Sequence, residues 1–188
     1  MSNLILSPYN PNWPNEFENL REVIHGQLNG LISEIQHVGS TSVPGLVAKP
    51  VIDMDVVMED VVLLPHIIKR LEAIGYEYRG DQGIPDRFAF RQLSADTPQT
   101  KPSRLWLTHH LYVCLAGSLA LRNHLRFRDA LRSNSELMRK YADLKLLLSQ
   151  HVISREQYGK EKTNFILSVL TTIGFTPTEL DSIRKANE

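Results

Sequence analysis

Apolar positions recur along this chain with two periods, one helical and one extended. Phe17, Leu20, Ile24, Leu28 and Leu31 are spaced as on one face of a helix, predicting a helix from Asn15 to about Leu31 behind an Asn12-Trp13-Pro14 entrance. Leu4-Ile5-Leu6 predicts a short strand or arm ended by Ser7-Pro8, and Ser33 to Val38 a strand. From Val51 to Val57, Ile52, Met54 and Val56 alternate with Asp53 and Asp55, the period of a half-buried strand. A helix over Leu63–Ile74 stops at Gly75, and Tyr76–Arg79 and Arg87–Leu93 read as strands around a Gly80–Pro85 turn. Ser94–Pro102, polar and rich in Thr and Pro, predicts a mobile loop before a strand over Leu107–Leu115. Beyond Ala116-Gly117 the pattern is wholly helical: Ser118–Ser133, Glu136–Ser149, Arg155–Ile173 and Thr178–Ala186. The predicted architecture is α+β, a mixed sheet with flanking helices over 1–116 followed by a C-terminal helical subdomain over 117–188. No internal repeat or low-complexity tract interrupts it.

Chemistry concentrates between His37 and Val57. On the Val51–Val57 strand Asp53 and Asp55 point to one face and the apolar residues to the other. Two carboxylates so placed can share a divalent cation, because Mg²⁺ takes a few oxygen ligands and leaves the rest to water and phosphate. The preceding Gly39-Ser40-Thr41-Ser42 follows an apolar strand end. Gly39 permits a tight turn, and the hydroxyls of Ser40 and Ser42 can bond phosphate oxygens. Each element alone is ordinary. About a dozen residues apart, with Lys49 between them, they point to a phosphate-and-metal site. Lys49 is equally open to a triphosphate contact or a solvated loop position.

The string His37-Val38-Gly39-Ser40-Thr41-Ser42-Val43-Pro44-Gly45-Leu46, with Ala48-Lys49-Pro50-Val51-Ile52-Asp53, closely resembles the signature of the GrpB family. Pro8-Tyr9-Asn10-Pro11-Asn12-Trp13-Pro14, Gly80-Asp81-Gln82-Gly83-Ile84-Pro85-Asp86-Arg87, His109-His110-Leu111-Tyr112-Val113 and Leu125-Arg126-Phe127-Arg128-Asp129 extend the likeness, as do Tyr158, Lys160 and Phe165. That family is similar to the polymerase-beta-like nucleotidyltransferases, whose pattern is a Gly-Ser turn and an Asp-x-Asp strand. The resemblance implies a nucleotidyltransferase-like fold and transfer of a nucleotidyl group from a nucleoside triphosphate to an unknown acceptor with Mg²⁺ or Mn²⁺. Asp53 and Asp55 would hold metal; Gly39, Ser40, Ser42, Lys49 and Arg87 would bind nucleotide. The superfamily's third carboxylate is missing, since Thr108–Val113 contains no Asp or Glu. His110 stands there instead, open to three roles: metal ligand, base for the acceptor hydroxyl, or core hydrogen bonder. Glu77 and Asp81 are weaker substitutes. Arg91, Arg126 and Arg128 are further phosphate or acceptor candidates, although Arg126–Asp129 also suits an ordinary surface pair. The segment Arg155–Lys162 reads as a solvated helix face, and His151 as a surface residue.

Two other function classes remain open. One is a non-catalytic nucleotide- or partner-binding module, which the missing carboxylate favours; fusions of the family to dephospho-CoA kinase associate it with coenzyme A metabolism. The other is a metal-dependent phosphohydrolase with His110 as base. Composition narrows the partners. Lys plus Arg and Asp plus Glu balance at 21 each, against a protein that grips extended nucleic acid by charge. Cys114 is the single cysteine of 188 residues, so no internal disulfide forms, and its apolar neighbours predict a buried thiol in a reducing cytoplasm. No signal-peptide pattern or membrane-length apolar run is present.

Overall fold

The computed structural model describes residues 6–151 and 155–187, the side chains of 151, 155 and 156 excepted. Leu4 and Ile5 of the expected N-terminal arm, and the side chain of His151, therefore lie outside the described residues; Ser7 bridges to Ala48. The elements are α1 (Trp13–Leu28), β1 (Glu34–Val38), β2 (Ile52–Met58), α2 (Leu64–Glu72), β3 (Tyr76–Tyr78), β4 (Arg87–Gln92), β5 (His109–Leu115), α3 (Leu119–Ser133), α4 (Ser135–His151), α5 (Arg155–Thr172) and α6 (Pro177–Lys185). Two 3₁₀ turns, Ser40–Ser42 and Val61–Leu63, precede β2 and α2.

One five-stranded sheet, in the order β1-β2-β5-β4-β3, carries the molecule. β2 and β5 run parallel; the other pairs are antiparallel. Strand alternation divides the sheet into two chemically distinct faces. Ile52, Met54, Val56, Leu111 and Val113 project to one side and pack with Leu20, Ile24, Leu28, Ile67 and Leu71 of α1 and α2. This is the main core. Asp53 and Asp55 project to the other side, beside His110 and Tyr112 of β5, which the register places opposite them. Val57 and Cys114 pack there with Leu121 of α3. The other C-terminal helices join through two small clusters, Val43 and Leu46 against Leu131 of α3 and Tyr141 of α4, and Leu167 and Leu170 of α5 against Ile183 of α6. The fold thus presents polar chemistry between the sheet and its C-terminal helices.

Ser94–Pro102 is a correction to the expected mobile loop. Thr97 is fully buried, its hydroxyl donating to the Gly75 carbonyl at 3.2 Å. Gln99 N–H donates to Ile74 O, and the Trp106 indole N–H to Pro98 O at 2.9 Å. Polar and Pro-rich composition signalled irregular backbone correctly but not its anchoring, which comes from Trp106 seating in the core.

Candidate active site

The site starts at Gly39. Its φ of +68° is one that side-chain-bearing residues rarely adopt, and a Cβ there would lie 2.1 Å from Asp53 Oδ2. Glycine is therefore what lets the backbone turn approach the first carboxylate. The adjoining 3₁₀ turn sets its hydroxyls to different tasks. Ser40 Oγ accepts from Lys145 Nζ at 2.9 Å, while Thr41 Oγ1 lies between the His37 ring at 3.1 Å and the Val51 carbonyl. Ser42 is a correction: its hydroxyl, expected in a phosphate cradle, donates to the Gly39 carbonyl at 2.6 Å and is buried, because the turn folds it back on itself. The Ser42 carbonyl in turn accepts both Nε and Nη2 of Arg132.

Each carboxylate is met by a histidine. His110 Nδ1 lies 2.8 Å from Asp53 Oδ1, and His124 Nδ1 lies 2.7 Å from Asp55 Oδ2. An ionised carboxylate only accepts, so both Nδ1 atoms carry the proton. Asp55 is fully buried, and among the described residues its Oδ1 has no hydrogen-bond partner. Burial disfavours the His124 cation, yet the charge and hydrogen bond of Asp55 outweigh it and hold that imidazole above its ordinary pKa. Arg87, buried on β4, stacks its guanidinium 4.4 Å from the centre of the Tyr112 ring, and among the described residues its Nε has no hydrogen-bond partner. Burial is the main cause lifting the Tyr112 hydroxyl.

Three cavities run in a row across this face. One of about 260 Å³ is lined by Ser40, Lys49, Asp53, His110, Lys145 and Lys162. The central one, about 240 Å³, shares Ser40, Asp53 and Lys162 and adds Arg87, Tyr112, His124 and Arg128. A third of about 190 Å³ shares Arg87, Asn123 and His124 with the centre and holds no lysine. At the lysine end Lys145, only 2% exposed, has its pKa pushed down to about 7 by burial and by Lys162, with Asp53 opposing. Lys162 is also lowered, chiefly by burial, with Asp53 opposing and Lys49 adding to it.

Relatives agree with this architecture. The GrpB protein family model matches residues 3–172. The chain belongs to the GrpB family. The crystal structure of GrpB from Enterococcus faecalis is 30% identical, covers 98% of this chain and 100% of its own, and superposes with a TM-score of 0.73. UPF0157 protein YqkA of Bacillus subtilis is 32% identical over 84% of this chain, which spans only 43% of YqkA. A variant of Cid1 poly(U) polymerase bound to MgATP is similar in fold, with a TM-score of 0.50 at 15% identity, covering 85% of this chain and 50% of that one. The GrpB-family fold here is nucleotidyltransferase-like.

Within this GrpB-family chain several sequence-derived candidates stand apart from the carboxylates. Glu77 pairs with Arg79 and Arg91 on β3, at the far edge of the sheet, and Asp81 caps Gly83 N–H in the neighbouring turn. Neither replaces the third carboxylate. Arg128 is no surface residue: it donates to Gln36 Oε1 and the His37 carbonyl, tying α3 to β1. Arg155–Lys162 is not a wholly solvated face, since Tyr158 is buried and Lys162 lines two cavities. Lys49 is exposed at the rim of the lysine end. Sequence reading missed His124, Lys145 and Lys162. A lysine inside Leu144-Lys145-Leu146-Leu147-Leu148 was the one available signal, a cation in an apolar helical run. Cys114 is buried as expected, and burial pushes its thiol up, away from nucleophile chemistry. No helix among the described residues is long and apolar enough to cross a membrane.

Proposed function

We propose that this protein is a metal-dependent nucleotidyltransferase acting on a nucleoside triphosphate and an acceptor hydroxyl. What carries the reading is the placement of Asp53 and Asp55 on one strand face, with Asp53 against the Gly39-Ser40 turn and lining a cavity with Lys145 and Lys162. The donor set suits Mg²⁺ or Mn²⁺. Asp55 Oδ1 is a buried oxygen awaiting a partner. Among the described residues no three His, Cys, Asp or Glu side chains are grouped to hold a metal. That fits a cation bound by one or two carboxylates and completed by water and substrate phosphates rather than by a protein cage. When bound, such an ion neutralises charge building on the transferred phosphoryl group.

The chain's own groups supply the rest. Ser40, Lys145, Lys162 and Lys49 would hold the triphosphate by hydrogen bonds and charge. An acceptor oxygen attacks the α-phosphorus, the bond from that phosphorus to the bridging oxygen breaks, and pyrophosphate leaves. His110, its Nδ1 2.8 Å from Asp53 Oδ1 and its side chain lining the cavity with Ser40 and Lys145, would take the acceptor's proton. A buried lone thiol suits a reducing compartment, and we place the protein in the cytoplasm.

The test is product analysis with α- and γ-labelled triphosphates, Mg²⁺ or Mn²⁺, and a deproteinised small-molecule extract. The reading expects the α label in a new species, release of pyrophosphate, and loss of both in Asp53→Asn. Orthophosphate from the γ label alone would mark a phosphohydrolase. A second reading, a non-catalytic binding module, draws on one observation: the site face of β5 offers His110 and Tyr112 where a third carboxylate would stand. Absence of turnover with intact triphosphate binding would favour it.

A further inference from the structure

Arg87 is a buried cation in the wall of the site. It is only 9% exposed, and among the described residues its Nε has no hydrogen bond. Among the described residues its guanidinium makes no ion pair; it stacks on the face of Tyr112 and acts by charge on His124 and Cys114. A ring face attracts a cation but cannot satisfy the planar fork of guanidinium donors. Arg87 lines both the central and the lysine-free cavities, as do Asn123, His124 and Asn187. Ser40 and Lys162, the residues suited to a triphosphate, lie instead between the central cavity and the lysine end. Positive charge therefore extends beyond the lysine end: the central cavity holds Arg87 and Arg128 beside Lys162 and Asp53, and the lysine-free cavity holds Arg87 as its cation.

We propose that Arg87 forms a second anion subsite, which holds a phosphate or carboxylate group of the acceptor, so that the acceptor is an anionic small molecule. This rests on the nucleotidyltransferase reading for the word acceptor, but the subsite itself does not. Guanidinium geometry favours a two-oxygen contact with either oxyanion. Asn123 and Asn187 line the same cavity, Asn123 from α3 and Asn187 beyond the end of α6. Asn187 Nδ2 donates to the Ile183 carbonyl, which turns its own amide oxygen away from that bond and leaves an acceptor for a ligand hydroxyl.

The experiment is a ¹⁵N-detected titration of the full chain with methyl phosphate and, separately, with acetate. Each runs with and without a saturating non-hydrolysable triphosphate analogue and Mg²⁺. The Arg87 Nε–H and the Asn123 side-chain amide should shift with one or both anions whether or not the analogue is present. Arg87→Gln should weaken that anion at least tenfold, and Arg87→Lys and Lys162→Ala should each weaken it less. The wild-type shifts decide the matter even if the variants fold poorly. Shifts confined to Ser40, Lys145 and Lys162, or none with either anion, would overturn the subsite. Failure of the analogue to bind while the Arg87 shifts persist would instead count against the nucleotidyltransferase reading alone.

Discussion

Replacing Lys145 by Met keeps an unbranched stem of similar length and removes one buried ammonium. In the native chain that ammonium is 2% exposed, donates to Ser40 Oγ and the Val47 carbonyl, and sits 5.5 Å from the centre of the Tyr141 ring. Burial and the neighbouring Lys162 bring its pKa from 10.5 down to about 7. The unfolded chain keeps this proton to its ordinary pKa, whereas the folded chain releases it near 7. Between those limits the unfolded state binds more protons, so stability rises with pH, by up to about 1.4 kcal/mol per pH unit for one group. The stability of wild type minus that of Lys145→Met should therefore climb by about 2–3 kcal/mol from pH 7 to pH 9. Urea unfolding at constant ionic strength measures it, and taking the difference cancels groups shared by both proteins. A triphosphate analogue should reverse the effect, because phosphate charge favours the ammonium. Binding at pH 8 should then take up a fraction of a proton, seen by calorimetry in buffers of different ionisation enthalpy. A difference between the proteins that stays flat with pH would refute the buried, proton-poor lysine.

Other outcomes follow from the same structure. His37 and His109 are both held near pKa 4, chiefly by burial, so the fold keeps them neutral where the unfolded chain protonates them. Stability should fall as pH drops from about 6.5 toward 4, by as much as about 2.8 kcal/mol per pH unit from the two together; an unchanged acid limb in His109→Gln would remove that residue from the account. Gly39→Ala should cost at least about 1 kcal/mol from the positive φ alone and displace Asp53, read by thermal melting and by loss of metal-dependent triphosphate binding. Asp55→Asn should lower the His124 pKa, which NMR titration of its ring protons follows; no change would mean that the pair does not hold in solution.

The sheet face carrying the site was legible because strand alternation is a short-range rule. Asp53 and Asp55 stand opposite Ile52, Met54 and Val56 as their spacing required. Gly39 was legible as a turn, but not as the residue that makes room for Asp53. What escaped was brought in by tertiary packing. His124 lies 69 residues beyond Asp55 and Lys145 lies 105 beyond Ser40, on helices whose periodicity shows that they are amphipathic but not which surface they cover. The hydroxyl of Ser42 and the anchoring of Ser94–Pro102 depend on particular hydrogen bonds that no pattern of residue types encodes.

Metal-dependent capture of a nucleoside triphosphate at the carboxylate face is the central claim. The most direct measurement is chemical-shift mapping of the full chain with a non-hydrolysable triphosphate and Mg²⁺, repeated without the metal and with Asp53→Asn/Asp55→Asn. The account expects shifts centred on Ser40, Asp53, His110, Lys145 and Lys162 that need both the metal and the carboxylates. Shifts elsewhere on the protein, or the same shifts with neither metal nor carboxylates, would contradict it.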